Sequence, residues 1–210
     1  MSTTHDLDLL RKHLPASAWP IALHWLQANP VKVRVVKPRS SKLGDYRTAH
    51  ADKPHRITVN RDLNMYAFLV TLVHEFAHHS TYMRTRRWQD PHGPEWKAEF
   101  HRLMRPYLSR MIFPEDVLHA LEHHLRDAPA SSCADPVLMR ILRKYDASPR
   151  PMLEELPERT VFRFNEKLFV KGPRLRKRFR CQCLNDRRTY LIDPLAEVHL
   201  SAPLAVRKAS

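Results

Sequence analysis

The sequence predicts an α+β fold: a largely helical N-terminal part, built around one long apolar helix and a small β-sheet, followed by a small antiparallel β region. Three observations carry this. Apolar residues recur at helical spacing in residues 5–28, 66–78, 95–108 and 115–125. Beyond residue 160, short runs of β-branched and aromatic residues alternate with turn residues. The 210 residues, 43% of them hydrophobic, suffice for one medium domain with a core of its own plus an appendage.

Residues 5–28 read as an amphipathic helix or helix pair, with Leu7, Leu9, Leu10, Leu14, Trp19, Ile21, Ala22, Trp25 and Leu26 for burial. Val31 to Val36 alternates Val with Lys and Arg, as a half-exposed strand does. Arg39 to Lys53 carries turn signals around Gly44-Asp45 and is expected to pair with Arg56 to Asn60 as a hairpin. Asn60 or Asn64 then caps a helix whose core face is Tyr66, Leu69, Val70, Val73, Phe76 and Ala77. Gly93-Pro94 breaks the pattern, a second helix runs from Glu95 to about Leu108, and Pro114 starts a third from Glu115 to about Leu125.

Ala128 to Pro136, rich in Ala, Ser and Pro, reads as a connection, and Pro136 to Tyr145 as a short bridging helix. The β-favouring stretches Thr160–Phe164, Lys167–Val170, Arg178–Cys183 and Thr189–Ile192 are separated by expected turns at Asn165-Glu166, Gly172-Pro173 and Asn185-Asp186. The expected division is a domain at 1–128, a linker at 129–156 and a basic β-rich region at 157–210.

Within the long helix, Thr71 to Ser80 contains His74, Glu75 and His78, an HExxH arrangement. Residues four apart on a helix point the same way, so both imidazoles can reach one metal ion while Glu75 is rotated to the side where a water would be activated. Zinc held by three protein ligands keeps a fourth position for that water and makes it acidic enough to be a nucleophile near pH 7. For the third ligand His92 is favoured, because it precedes a turn and can swing back onto the first helix. Glu95 and Glu99 compete for that role. A histidine six residues after the second ligand is excluded, since position 84 is Arg.

Four segments of the chain resemble the SprT-like zinc metalloprotease family of SprT and Spartan type: Arg39 to Tyr46, Ile57 to Asn60, Leu69 to His78, and His92-Gly-Pro-Glu-Trp-Lys97. The resemblance implies a zincin-like metalloprotease core, one catalytic zinc on His74, His78 and His92, and Glu75 as acid/base. It also implies substrates that are proteins bound or crosslinked to DNA, hence a part in DNA–protein crosslink repair. The family further implies a C-terminal zinc ribbon, and here the chain departs. Cys181 and Cys183 are followed by no second cysteine pair, and only His199 is a late candidate ligand, whereas a closed structural site needs four. A degenerate, metal-free ribbon-like sheet is therefore expected.

The net charge of +14 and a pI near 10 point to a polyanionic partner, with DNA first. Residues 157–210 concentrate it, with thirteen Lys and Arg against five Asp and Glu. The candidate nucleic-acid contacts are Arg174, Arg176, Lys177, Arg178, Arg180, Arg187 and Arg188. On a strand, Arg174, Arg176, Arg178 and Arg180 would share one face and meet phosphates with little sequence preference. Three cysteines, Cys133, Cys181 and Cys183, offer no disulfide framework. With no apolar run of about 20 residues and no signal pattern at Met1, the expectation is a cytoplasmic protein without a membrane partner.

The expected function is zinc-dependent endopeptidase action on DNA-associated proteins. An extended substrate segment would add beside the strand near Arg56 to Asn60. Two other classes fit the same residues: a nucleic-acid-binding module with an idle zinc site, and a general cytosolic metalloprotease indifferent to DNA. His79 lies about 100° from His78 around the helix and reads as a residue that either supports a ligand from behind or packs in the core.

Overall fold

The structure, a computed structural model, describes residues 3–39, 42–85, 90–126 and 135–200. Ser40 and Ser41 of the hairpin motif, Cys133 and most of the Ala128 to Pro136 connection lie outside the described residues. Six α-helices and two sheets are present among the described residues, and the chain divides into two units, Met1–Ala147 and Ser148–Ser210. That division falls inside the 129–156 stretch. No described helix is long and apolar enough to cross a membrane.

In the first unit, α1 (Thr4–Lys12) begins with a reciprocal cap: Asp6 N–H donates to Thr3 Oγ1 at 3.1 Å and Thr3 N–H to the Asp6 carboxylate at 3.2 Å. Helix α2 (Trp19–Ala28) follows, with a proline in its first turn where no intrahelical N–H is needed. Strands β1 (Val31–Val36), β2 (Gly44–Arg47) and β3 (His55–Asn60) form a sheet of order β1-β3-β2, with β1 parallel and β2 antiparallel to β3. The central position of β3 corrects the expected docking of substrate beside Arg56 to Asn60. Both flanks of that strand are already paired, so the edge strands of the sheet are β1 and β2.

Helix α3 (Met65–Thr85) is the spine of this unit. Every residue from Phe68 to Ala77 is buried, so the helix is enclosed all round rather than along one stripe. Asn64 caps it, its Oδ1 accepting from the N–H groups of Tyr66 and Ala67 at 3.1 and 3.0 Å. Asn60 is used differently: its amide donates to the carbonyls of Arg39 and Lys42, and its Oδ1 accepts from Arg39 Nε at 2.9 Å, which pins the loop into β2.

Helices α4 (Pro94–Met104), α5 (Glu115–Arg126) and α6 (Pro136–Arg143) complete the unit. Phe68, Phe76, Phe100 and Phe113 are fully enclosed, each worth about 1.5–3 kcal/mol of burial. The expected bridging helix α6 is fastened within the first unit: Asn64 Nδ2 donates to Leu142 O and to Asp146, and Tyr145 Oη to Asp116 at 2.6 Å.

The second unit is an antiparallel sheet of β4 (Val161–Phe164), β5 (Lys167–Arg174), β6 (Phe179–Cys183), β7 (Thr189–Ile192) and β8 (His199–Leu200), in order β7-β6-β5-β4-β8. Asn165 and Glu166 both have positive φ, as a two-residue hairpin turn demands. Gly172-Pro173 is not a turn. It lies within β5 at a register shift, where a Cβ on Gly172 would collide with the carbonyl oxygen of Arg180. Cys181 and Cys183 alternate with exposed Arg180 and Gln182, so both thiols are buried in the apolar cluster with Phe162, Phe169 and Phe179.

The hairpin turn between β5 and β6 dissolves the expected row of arginines. Arg174 ends β5, Arg176 and Arg178 stand with Lys177 in the hairpin loop, and Arg180 lies on the outer face of β6. Arg187 and Arg188 follow the other end of β6. All seven side chains are exposed, but in two clusters separated by the length of a strand rather than on one face.

Candidate metal centre

His74 and His78 stand one helical turn apart on α3, and the loop before α4 brings in His92. The Nε2 atoms of His78 and His92 lie 3.2 and 3.1 Å from Nε2 of His74. Three nitrogens each about 2.0–2.1 Å from one tetrahedral zinc ion would be roughly 3.3 Å apart, so the spacing fits such a centre. Burial drives the pKa of His74 well below the usual imidazole value, holds His78 near about 4 and lowers that of His92. All three are thereby kept in the neutral form that ligates metal. Among the described residues this is the one group of at least three His, Cys, Asp or Glu side chains placed to hold a metal ion.

His92 reaches this position through an unfavourable backbone. Its φ is 66°, while Gly93, the residue better suited to that region, is extended. The Gly93 N–H donates to Asp90 O at 3.0 Å and closes the turn that offsets a cost of about 1–2 kcal/mol. Of the competing ligands, Glu99 is buried and bound twice by Arg102, at 2.5 and 3.2 Å, and Glu95 is exposed on the first turn of α4.

Trp96 packs on all three imidazoles, its ring 4.6 Å from those of His74 and His92 and 5.3 Å from that of His78, and it stacks on Phe100 behind. The beginning of α4 thus supplies both the turn that presents His92 and the wall that orients the rings.

Glu75 faces β2. Its carboxylate is buried at 6% exposure, and burial, then the neighbouring Asp45 charge, push its pKa up to about 8 against the pull of Arg39, the Tyr46 N–H and Lys42. Asp45 is itself neutralised by Lys42 at 2.7 Å and Arg47 at 2.9 Å. Glu75 and Asp45 border a cleft of about 290 Å³ lined by Gly44, Asp45, Tyr46, His74, Glu75, His78, Thr81, Tyr82, Asp90, Pro91 and Trp96. His79 is away from it, fully buried against Trp25, Tyr46 and His55.

Residues 23–119 match the model of the SprT-like family, a span that runs from α2 into α5 and holds all three histidines and Glu75. This part of the chain belongs to the SprT-like family. The family is of metallopeptidase type and typically zinc-dependent. The SprT-like match ends before the second unit. No curated protein and no solved structure matches the chain.

Sequence reading did not assign roles to Gly44, Asp45, Tyr46, Thr81 or Trp96 in this site. Gly44 carried a signal as one of just three glycines in the chain, and Gly44, Asp45, Tyr46 and Trp96 all fall in segments that resemble the family, but neither signal assigns a role in the cleft. Those roles appear when the fold brings β2 and α4 against α3, and Thr81 carried no signal at all.

Proposed function

We propose that this chain is a zinc-dependent endopeptidase with a zincin-like core, acting on proteins bound or crosslinked to DNA and tethered to DNA by its basic C-terminal unit. The observation that carries the peptidase reading is the convergence of His74, His78 and His92 beside a buried carboxylate, Glu75, in a cleft bordered by the open edge of β2. Zinc on the three histidines would supply Lewis acidity toward a scissile carbonyl and toward water.

The chain's own residues do the rest. An extended substrate segment pairs with β2, which gives affinity through backbone hydrogen bonds and little sequence preference. Tyr46, Tyr82 and Trp96 wall the cleft around it. Glu75 takes a proton from the attacking water and passes it to the leaving amide nitrogen. Its raised pKa suits a group that both accepts and donates near neutrality, and a nearby cation would draw that value back toward the ordinary carboxylate range.

The DNA reading rests on charge. The β5–β6 hairpin, with Arg174, Arg176, Lys177, Arg178 and Arg180, and the turn with Arg187 and Arg188 present exposed cations at both ends of β6. Phosphates a few nucleotides apart would meet both clusters, and the binding would be salt-sensitive. A cytoplasmic location is proposed on the same footing as before, from the absence of a disulfide framework.

The test is cleavage of a loosely folded basic protein by the zinc-loaded chain, with and without single-stranded DNA, and with Glu75→Gln as control. Cleavage stimulated by DNA and abolished by the substitution supports the whole reading. Cleavage indifferent to DNA leaves a general metalloprotease, and DNA binding without cleavage leaves a binding module with an idle centre.

A further inference from the structure

We propose that Gly44 forms a notch in β2 that holds the Glu75 carboxylate in place beside the three-histidine group, and that position 44 lacks a side chain for this reason. The inference rests on the reading of Glu75 as the acid/base, and it adds a positioning residue that the ligand set does not contain.

The first support is how this chain uses glycine. It has three, and none has a positive φ; among the described residues the left-handed positions are occupied by Ala51, His92, Arg159, Asn165, Glu166 and Arg187. Backbone freedom, the usual reason for glycine, is therefore not what Gly44 provides. The second is what a side chain there would meet. A Cβ at 44 would collide with Glu75 Oε1 and stand 2.8 Å from both Glu75 Cγ and Thr71 Cγ2. At Gly93 the nearest atom to a Cβ would be 3.2 Å away, and at Gly172 the obstacle is backbone of the neighbouring strand. Only at Gly44 is the excluded volume taken up by a candidate reacting group.

Thr71 and Glu75 are four residues apart on α3, so they form one surface of the helix, and β2 lies directly on it. Two residues along β2 the Tyr46 N–H is among the groups that pull the Glu75 pKa down against its burial. A glutamate on a helix has three side-chain dihedrals to fix, and the helix alone fixes none of the outer ones. The notch closes off the space toward β2 and so limits where the carboxylate can go. Acid/base transfer needs this, because misplacement by about 1 Å can cost about a hundredfold in rate.

A double-mutant cycle tests it. Denaturation midpoints of the full zinc-loaded chain are compared for wild type, Gly44→Ala, Glu75→Ala and the pair, with zinc content measured for each. For Gly44→Ala, kcat and KM are measured on an unfolded protein substrate. The expected result is that Gly44→Ala keeps one zinc, holds KM within about twofold and lowers kcat by about a hundredfold or more. Its destabilisation should at least halve once Glu75 is replaced.

An equal midpoint shift in both backgrounds overturns the notch. So does failure of Gly44→Ala to fold in both backgrounds, whereas folding only in the Glu75→Ala background is coupling at its limit and supports it. Loss of zinc, or an unchanged kcat, overturns the positioning role. If wild type itself cleaves nothing, the peptidase reading fails while the stability cycle still reads the notch.

Discussion

The Nε2 atoms of His74 and His92 lie 3.1 Å apart although the two residues are 18 positions apart in the chain, one in the middle of a buried helix and the other in a turn with a left-handed backbone. Three neutral imidazoles facing inward gain little from one another, so a bound cation is the natural stabiliser of this arrangement. That makes the third histidine separable from the carboxylates near it.

His92→Ala should weaken zinc binding by at least about a hundredfold, more than loss of a group behind a ligand usually does. Glu95→Gln should leave zinc stoichiometry unchanged. Metal analysis after dialysis against a graded chelator measures both, and zinc retained by His92→Ala would move the third ligand elsewhere.

Glu75→Gln should keep its zinc and lose about two to four orders of magnitude in turnover, the range expected when a positioned proton-transfer group is removed. Single-turnover cleavage, paired with metal analysis of the same sample, checks it. Equal turnover would remove Glu75 from the chemistry.

Arg176→Glu combined with Arg178→Glu should weaken DNA binding and flatten its dependence on salt by about one logarithmic unit of slope per lost phosphate contact, without altering zinc content. Titration of a labelled oligonucleotide at several salt concentrations gives the slope. Unchanged binding would remove the hairpin loop from the interface.

Acid should destabilise the first unit through a pair that does not line the cleft. His124 is buried with Nδ1 3.0 Å from the Asp135 carboxylate, and burial holds its pKa below the ordinary 6.5. The unfolded chain takes up that proton first, so stability falls as pH drops below about 6.5. Burial works against Asp135, yet hydrogen bonds from Leu138 N–H, His124 and Val137 N–H keep its pKa below 3.8; its contribution is present above 3.8 and is lost as pH falls further. The drop in thermal midpoint between pH 7.5 and pH 5.5 should therefore be smaller in His124→Gln than in wild type. An identical drop would show that other groups account for the acid sensitivity.

Asn64→Ala should cost about 1–2 kcal/mol or somewhat more, because it removes the cap of α3 together with the bonds to Leu142 and Asp146 that hold α6. Asn60→Ala should instead loosen the loop into β2. Denaturant midpoints, with kcat as a second readout, separate the two.

Much of this protein is written locally. The 3.6-residue period fixes that His74 and His78 share a face, and the apolar spacing around them declares a helix before any fold is known. Alternation in Val31 to Val36 declares a strand for the same reason, and Asn165-Glu166 a hairpin turn.

What tertiary structure alone decided are relationships between segments. That β3 rather than β2 is central follows from which strand finds partners on both sides, and it moved the proposed substrate edge away from Arg56 to Asn60. Four alternating arginines could not reveal that a hairpin turn after Arg174 would divide them between two strands and a loop. Nor could a glycine in a strand announce that its missing side chain makes room for Glu75, since that volume exists only when β2 lies on α3. Local sequence sets periodicity and chirality, which act over a few residues. Packing sets which faces meet, and that depends on the whole core at once.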